Sequence, residues 1–386
     1  MLPALPHNSG YTPDAGFLEF VKAGATRWDQ DGALPDAVVA RAGRAGLLAA
    51  DLPAKYGGAG LTPLQMGELC AQVGGVCTAV RGLLTVQGMV AAALDRWGDT
   101  AQRDRWLPPL AAGIEVAGFA ATEAEAGTEL AAVRTSIERQ GDQVVVRGRK
   151  LWVTFGQQAG FFLVLGLLDG QPATVLVESG RTGVEVEPVR GQLGLRAAGV
   201  AHLRFDGVRV PRRNLVAAPG FGLSHVVGTA LDHGRFTVAW GCAGLAAACL
   251  DLSARHVAGR DQNGVRLAEH QSVRAMLGRA YADTTAAREL CGRAARLRQA
   301  RDPAAIGETV LAKYSAARAA AAVSRDAVQL HGAAGCEADS VVGRFFRDAK
   351  VMQIIEGADE VAEVRLGDYA LRRVGAFSGR QRTGRS

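Results

Sequence analysis

The hydrophobic period of this chain of 386 residues changes twice along its length. Residues 1–115 carry apolar residues at three- and four-residue intervals, as in LPDAVVARAGRAGLLAADLP (34–53), which stops at Pro53. That spacing predicts helices. KYGGAGLTP (55–63) reads as a loop by its Gly and Pro content, and RDRWLPPLAAG (103–113) ends the block at two prolines. Residues 116–215 then turn to short runs divided by turn signals. AVRTSIER and QVVVRGR flank Gln140-Gly141-Asp142, and FFLVLGLLDGQPATVLVES holds two apolar runs about an Asp-Gly pair. Both read as hairpins. GVEVEPV (183–189) and AHLRFDGVRV (201–210) follow, and Pro211 closes the run. The links are too short and polar for βαβ units. From 223 the helical period returns in four stretches, 223–258, 267–299, 303–330 and 341–374, broken at DQNG, RDP and HGAAG. The expected class is α+β, mostly α, with a helical domain over 1–115, a β domain over 116–222, a four-helix C-terminal domain over 223–375 and a disordered basic tail over 376–386.

Composition excludes several classes. With 48% hydrophobic and 21% charged residues the chain can bury a sizeable core. It has no run of about 18 apolar residues, so no membrane span is expected, and its N-terminus lacks the pattern of a signal peptide. Six Cys without a CxxC pair suit a reducing cytosol. With seven scattered His and no HExxH, no metal site is expected. Net charge is +6, and part of the excess lies in the terminal GRQRTGRS. That mild bias fits an acidic or phosphate-bearing partner, and no dense basic stripe points to nucleic acid.

Five stretches invite a chemical reading beside an ordinary one. FAATEAEAGTEL (119–130) offers Thr122 and Thr128 where helices give way to strands; an ordinary connecting loop looks the same. In KLWVTFG (150–156), Trp152 and Thr154 alternate onto one strand face, an aromatic plate beside a hydroxyl, or simply a packing Trp. GRDQNG (259–264), with HQ at 270–271, places Arg260 at a helix end, where it suits a phosphate or is merely solvated. QLHGAAG (329–335) is a Gly-bearing break whose N–H groups can meet an anion. RFFRDAKVMQIIEGADEVAEVRLG (344–367) reads as a helix with Val351, Ile354, Ile355, Ala358, Val361 and Ala362 on one stripe. Glu356 lies off that stripe among apolar neighbours, which raise a carboxyl pKa and suit it to act as a base. Alone, the stretch favours an exposed structural Glu.

The order of these stretches, with FDGVRVP (205–211) between the second and third, resembles the motif order of the acyl-CoA dehydrogenase flavoproteins over about residues 34–374. The resemblance implies an N-terminal helical domain, a β-barrel-like middle domain and a C-terminal four-helix bundle, assembled as dimers or tetramers that bind FAD. It implies that Phe119, Ala121 and Thr122 contact the flavin, that Trp152 and Thr154 lie at its face, and that Thr128 lies near substrate and phosphates. Arg260, Gln262 and Gln271 hold FAD of a neighbouring subunit, Gln329 and Gly332 form the adenosine and pyrophosphate loop, and Ala358 and Glu360 lie beside the cofactor. Glu356 is the catalytic base, with Arg235 and Gly357 near the substrate. Some relatives carry the base one residue before that Arg, a position that is Gly234 here. Asn263, Ala333, Cys336 and Ala358 depart from the family pattern.

A narrower resemblance lies in VGGVCTAVRGLLTVQGM (73–89), LRAAGVAHLRFDGVRVP (195–211), GRFTVAWGCAG (234–244) and FRDAKVMQIIEG. These look like the acyl-carrier-protein-linked dehydrogenases that make methoxymalonyl- or hydroxymalonyl-type polyketide extender units. That implies a short hydroxyacyl thioester on phosphopantetheine as substrate, an acyl carrier protein as partner and a cytoplasmic location. The rivals are a short-chain acyl-CoA dehydrogenase, a non-oxidative DNA-associated relative, and an amino-sugar monooxygenase, which the acid at 356 disfavours.

Overall fold

The computed structural model describes residues 15–374, so the expected tail lies outside the described residues. Five α-helices precede the sheet: α1 (Ala15–Asp31), α2 (Asp36–Arg44), α3 (Pro63–Gly74), α4 (Thr78–Trp97) and α5 (Thr100–Ala111). Thr62 and Gln65 cap α3 reciprocally, and Asp99 and Gln102 do the same for α5. Two expectations fail here. The helix over 34–53 ends at Arg44, because Gly46 and Ala49 turn to positive φ, although Leu47, Leu48 and Ala50 are buried. Apolar spacing there reported burial rather than helical path. Pro108 and Pro109 lie inside the last turn of α5 rather than ending the block. Their carbonyls still accept from Ala112 and Ile114, so the turn survives the two missing donors.

The middle layer is one eight-stranded sheet of β1 (Ala117–Ala120), β2 (Ser136–Gln140), β3 (Gln143–Val153), β4 (Phe161–Leu168), β5 (Gln171–Glu178), β6 (Val184–Pro188), β7 (Ala201–Pro211) and β8 (Leu215–Val216). Its order is β6-β7-β3-β2-β4-β5-β8, with β1 parallel to β4. Both predicted hairpins form. Asp169 and Gly170 take φ of 52° and 73°, the left-handed pair that a two-residue turn needs. The short β1 and β8 carried too little pattern to be read.

A π-helical turn (Gly222–Val227) leads into α6 (Gly228–Gly259). A two-stranded hairpin, β9 (Asp261–Gln262) with β10 (Val265–Arg266), precedes α7 (Gln271–Gln299), and α8 (Ala305–His331) follows. α9 (Val341–Met352) and α10 (Asp359–Arg373) complete the C-terminal bundle. Among the described residues, Gly222–Gly259 is long and apolar enough by composition to cross a membrane. Seventy-eight per cent of its most apolar window is buried inside the fold, and it forms the centre of the bundle. Close approach requires glycine: a Cβ at Gly67 would fall 2.3 Å from the ring of Trp240, and one at Gly244 1.9 Å from the Ala71 carbonyl oxygen.

Candidate active site

Glu356 does not lie on a helix. The single helix expected over 341–374 breaks between Met352 and Asp359, because Glu356 takes φ +57° and Gly357 φ +103°, which no right-handed helix accommodates. The loop is closed on itself and on the bundle. Gln353 Nε2 donates to Asp359 Oδ2 at 3.0 Å, and the Asp359 N–H reaches the Gln353 carbonyl at 3.1 Å. Arg235 Nε donates to the Glu356 carbonyl at 2.8 Å, and the buried Lys313 Nζ to the Gly357 carbonyl at 2.7 Å. Two cations thus hold the backbone of the loop and leave its carboxylate free. A clue was present in the sequence: Gly357 followed by Ala358, Asp359 and Glu360 is a break and then an acidic first helical turn.

The carboxylate rests against α6 where that helix has no side chain. A Cβ at Gly234 would come 2.8 Å from Glu356 Oε2 and 2.9 Å from Met89 Sδ. The place where some relatives carry their base is therefore filled, in space, by Glu356 itself. Oε2 is buried and has no hydrogen-bond partner among the described residues. Burial raises the Glu356 pKa above its ordinary 4.5, opposed by the charges of Arg235, Lys313, Arg81 and His233. An ionised carboxyl without a partner is a base waiting for a proton.

The helix before the loop is locked from three sides. Arg344 donates to the Val76 carbonyl at 2.9 Å, between α3 and α4. Arg347 pairs with the buried Asp29 of α1 at 2.5 Å and reaches the Leu193 carbonyl at 3.3 Å. Asp348 Oδ1 accepts from the Leu195 N–H at 2.7 Å. Arg344, Arg347 and Asp348, which sequence reading left without a task, fix α9 ahead of the loop that carries Glu356.

On the sheet side, Gln87 of α4 bonds both the Ala117 carbonyl and N–H, at 3.3 and 3.1 Å. β1 is thereby fixed to the helix whose Met89 faces Gly234. Beyond β1 come buried Ala121 and half-buried Thr122, with half-buried Phe119 before them and exposed Thr128 farther on. This segment is braced to β3. The Leu151 N–H donates to the Thr122 carbonyl at 2.9 Å, and Lys150 Nζ to the Ala121 carbonyl at 3.1 Å and Glu123 Oε1 at 2.7 Å. Both ends of this ion pair are buried, and Glu123 also accepts from the Arg134 and Thr135 N–H groups and the Thr135 hydroxyl. Burial alone would raise the Glu123 pKa; these donors outweigh it and hold the group below its ordinary value. Lys150 is pushed by burial down to about 8, so both stay charged at neutral pH. Sequence reading missed this pair.

The expected alternation of Trp152 and Thr154 is interrupted. The register of β3 against β7 shifts between Lys150 and Val153, Trp152 takes φ +59°, and the strand ends at Val153. A bulge, not the simple pleat, aims these side chains. Trp152 stands 58% exposed, steadied by an edge contact to His202 at 5.3 Å and by an N–H bond to His202 Nδ1. An indole left in water in this way is a platform without its stacking partner.

The other predicted residues gather elsewhere. Arg260 caps α6, Gln262 lies in β9, Gln271 starts α7, and Gln329 and Gly332 lie at the end of α8; all five are exposed. His256 and His331, stacked at 4.3 Å, tie the two helix ends together. Asn263 and Gly264 take φ of 52° and 79°, a left-handed pair that favours Asn and Gly. Along α6 this end lies about 38 Å from Gly234, at 1.5 Å per residue. One chain therefore does not bring the two groups to one flavin ring. Ala358 caps α10 without a side-chain bond, and Glu360 is exposed in its first turn.

Comparison with known proteins decides the family. The N-terminal, middle and C-terminal domain models of acyl-CoA dehydrogenases match residues 17–114, 118–208 and 221–369. The chain belongs to the acyl-CoA dehydrogenase family. It is 29% identical over 354 residues to the mitochondrial short-chain specific acyl-CoA dehydrogenase of Mus musculus, covering 90% of this chain and 85% of the mouse protein. Among solved structures it is similar to FkbI, for biosynthesis of the methoxymalonyl extender unit of the polyketide immunosuppressant FK520, at 37% identity and TM-score 0.87. That match covers 94% of this chain and 99% of FkbI. Butyryl-CoA dehydrogenase from Megasphaera elsdenii matches at 27% identity and TM-score 0.88, over 92% and 96%. This acyl-CoA dehydrogenase is an FAD-dependent oxidoreductase acting on acyl thioesters. Its residues fit that cofactor: an exposed indole on the sheet, a buried carboxylate oxygen without a partner on the bundle, and an exposed Gly332 (φ +61°) after α8.

Proposed function

We propose that this acyl-CoA dehydrogenase oxidises a short hydroxyacyl thioester held on the phosphopantetheine of an acyl carrier protein, in making a methoxymalonyl- or hydroxymalonyl-type polyketide extender unit. The observation that carries the reading is the 37% identity to FkbI across nearly the whole of both chains, against 27–30% to proteins named for acyl-CoA substrates.

Glu356 Oε2 takes the proton from the reacting acyl group; its burial makes it basic enough to do so, and Arg235 and Lys313 keep the loop from moving as the charge is lost. FAD, when bound, supplies the hydride acceptor. Trp152, Thr154, Phe119, Ala121 and Thr122 hold its ring. Thr128, Arg235 and Gly357 lie toward the thioester. Ala358 and Glu360, at the start of α10, flank the cofactor. Arg260, Gln262, Gln271, Gln329 and Gly332 hold the adenosine and pyrophosphate end, in a homodimer or homotetramer where that far end meets a second copy. The family's short-chain members support a second reading, in which the carrier is CoA.

The test is direct. The same hydroxyacyl group is presented on a carrier protein and on CoA, and flavin bleaching is followed anaerobically in single turnover. Faster bleaching with the carrier protein supports the proposal. Equal or faster bleaching with CoA assigns the enzyme to the short-chain acyl-CoA class.

A further inference from the structure

α4 and α6 meet at consecutive residues beside the base. Gly88 of α4 faces His233 of α6, and Met89 faces Gly234. A Cβ at Gly88 would fall 2.2 Å from His233 Cε1, so the imidazole lies against the bare backbone of α4. One step on, a Cβ at Gly234 would come 2.9 Å from Met89 Sδ and 2.8 Å from Glu356 Oε2. The imidazole is thus the side chain next along α6 to the place where the carboxylate rests. It is 7% exposed. Its Nε2 lies 3.1 Å from Asp51 Oδ2, and its Nδ1 is buried without a hydrogen-bond partner among the described residues.

Both sides of this pair are held. Asp51 follows α2 in a loop where the Ala59 and Leu61 N–H groups donate to the Ala50 carbonyl at 3.0 and 3.1 Å, and the Gly60 N–H to the Leu52 carbonyl at 3.0 Å. On α6 the Thr237 hydroxyl donates to the His233 carbonyl at 3.1 Å. Asp232, the residue before His233, pairs with Arg298 of α7 at 2.6 Å, and Arg298 Nε donates to the Thr309 hydroxyl of α8 at 3.1 Å.

Burial would raise the pKa of the Asp51 carboxyl. The His233 charge and hydrogen bond, a backbone bond and Arg298 outweigh it and hold the group below its ordinary 3.8. A carboxylate held at one ring nitrogen stabilises an imidazolium. At Glu356 burial raises the pKa, and four charges oppose it: Arg235, Lys313, Arg81 and His233. Arg235 and Lys313 are spent on loop carbonyls, and Arg81 Nη1 on the Thr85 hydroxyl at 3.0 Å. Of these four, His233 is the one with a carboxylate at ion-pair distance among the described residues.

We propose that His233 and Asp51 are positioning residues for the base: Asp51 keeps His233 as an imidazolium, and that charge keeps the buried Glu356 ionised and ready for a proton. The N-terminal helical domain thereby reaches into the bundle and sets the reacting carboxylate through one ring. The inference rests on Glu356 as the base and is independent of which carrier bears the thioester.

The experiment follows anaerobic bleaching of FAD-loaded enzyme in single turnover against pH, with the thioester that bleaches wild type fastest. His233→Gln keeps an amide near Asp51 and loses the charge. Its inflection is expected to move up by about one pH unit, with bleaching below it about tenfold slower and the loss shrinking as pH rises. Asp51→Asn, which leaves the ring in place, is expected to move the inflection the same way by removing what holds the charge. In the His233→Gln background, Asp51→Asn is expected to add no upward shift, because Asp51 acts through His233. A pair that only braces the fold would lower bleaching at every pH alike and leave the inflection where it was. The proposal is overturned if the inflection stays within about 0.2 unit of wild type in folded His233→Gln or in folded Asp51→Asn. It is equally overturned if Asp51→Asn lowers the inflection, as direct loss of an anion near Glu356 would. Bleaching retained by Glu356→Gln would remove the base itself, a failure distinct from an unmoved inflection.

Discussion

The two ends of the bundle carry the same kinds of residue and use them in opposite ways. At the Glu356 end, polar side chains are buried and spent on one another or on backbone: Lys150 on Glu123, Arg347 on Asp29, Lys313 on Gly357. Among the buried atoms left without a hydrogen-bond partner there is the Glu356 Oε2 oxygen. At the Arg260 end, Arg260, Gln262, Gln271 and Gln329 stand in solvent on a hairpin and on helix ends. The first end is finished within one chain and is suited to chemistry, where geometry has to be held before substrate arrives. The second leaves the same kinds of side chain in solvent. Asn263 and Cys336 are exposed there, and neither packs against a core.

Four changes would break or sharpen that contrast. The largest effect belongs to Glu356→Gln, expected to keep bound FAD and lose substrate-dependent bleaching by about 10²–10⁴-fold. In wild type the bleaching rate climbs with pH through an inflection above 4.5, because the raised group works only when ionised. The same raised pKa means the native state holds that proton more tightly than the unfolded chain. Stability from this group is present at low pH and lost as pH rises past 4.5, so Glu356→Gln melts higher than wild type at pH 7, and the two converge in acid. An inflection at or below 4.5 would mean that the carboxyl is not buried as described.

Next comes Lys150→Met. It strands the Glu123 carboxylate in the interior and should cost about 3–5 kcal/mol in urea unfolding. The double change with Glu123→Gln should recover part of the loss. A cost under 1 kcal/mol would remove the distinction between the braced end and the exposed one. Third, Arg260→Ala should weaken FAD binding by about tenfold, the worth of one charge-assisted hydrogen bond. Its effect on melting of the FAD-free protein should be within about 0.5 kcal/mol, as for an exposed charge. A large loss of stability instead would place Arg260 in the fold rather than at a binding edge. The smallest effect is Ala358→Thr. The backbone at 358 already has cap geometry with φ −59° and ψ 158°, and a hydroxyl there should add about 1 kcal/mol to α10 by calorimetry.

Much of this architecture was readable before any coordinates. The double change of period placed the sheet between two helical blocks, and the Asp-Gly and Gly-Asp pairs placed its hairpins, because turn chemistry and apolar spacing are local properties. The reading failed where a local pattern was reused for another purpose. Residues 47–50 are apolar because they are buried, not because they are helical. QIIEGADE kept helical spacing across a break, since three-residue spacing alone does not reveal a positive φ at a non-glycine residue. Trp152 and Thr154 were expected to alternate onto one strand face, but a bulge at 150–153 interrupts that pleat.

The sequence by itself determined the order of helical, strand and helical blocks, and that position 234, a Gly, has no side chain. Only the tertiary structure brought Glu356 to that position. Glu356 and Gly234 are 122 residues apart, and the glycine supplies the volume that the carboxylate occupies. The same holds for His233: its carboxylate partner is Asp51, 182 residues away, and Gly88 supplies the volume that its ring occupies. Spacing along a chain reports periodicity. Whether a charge is answered depends on partners brought from elsewhere, and packing alone supplies those.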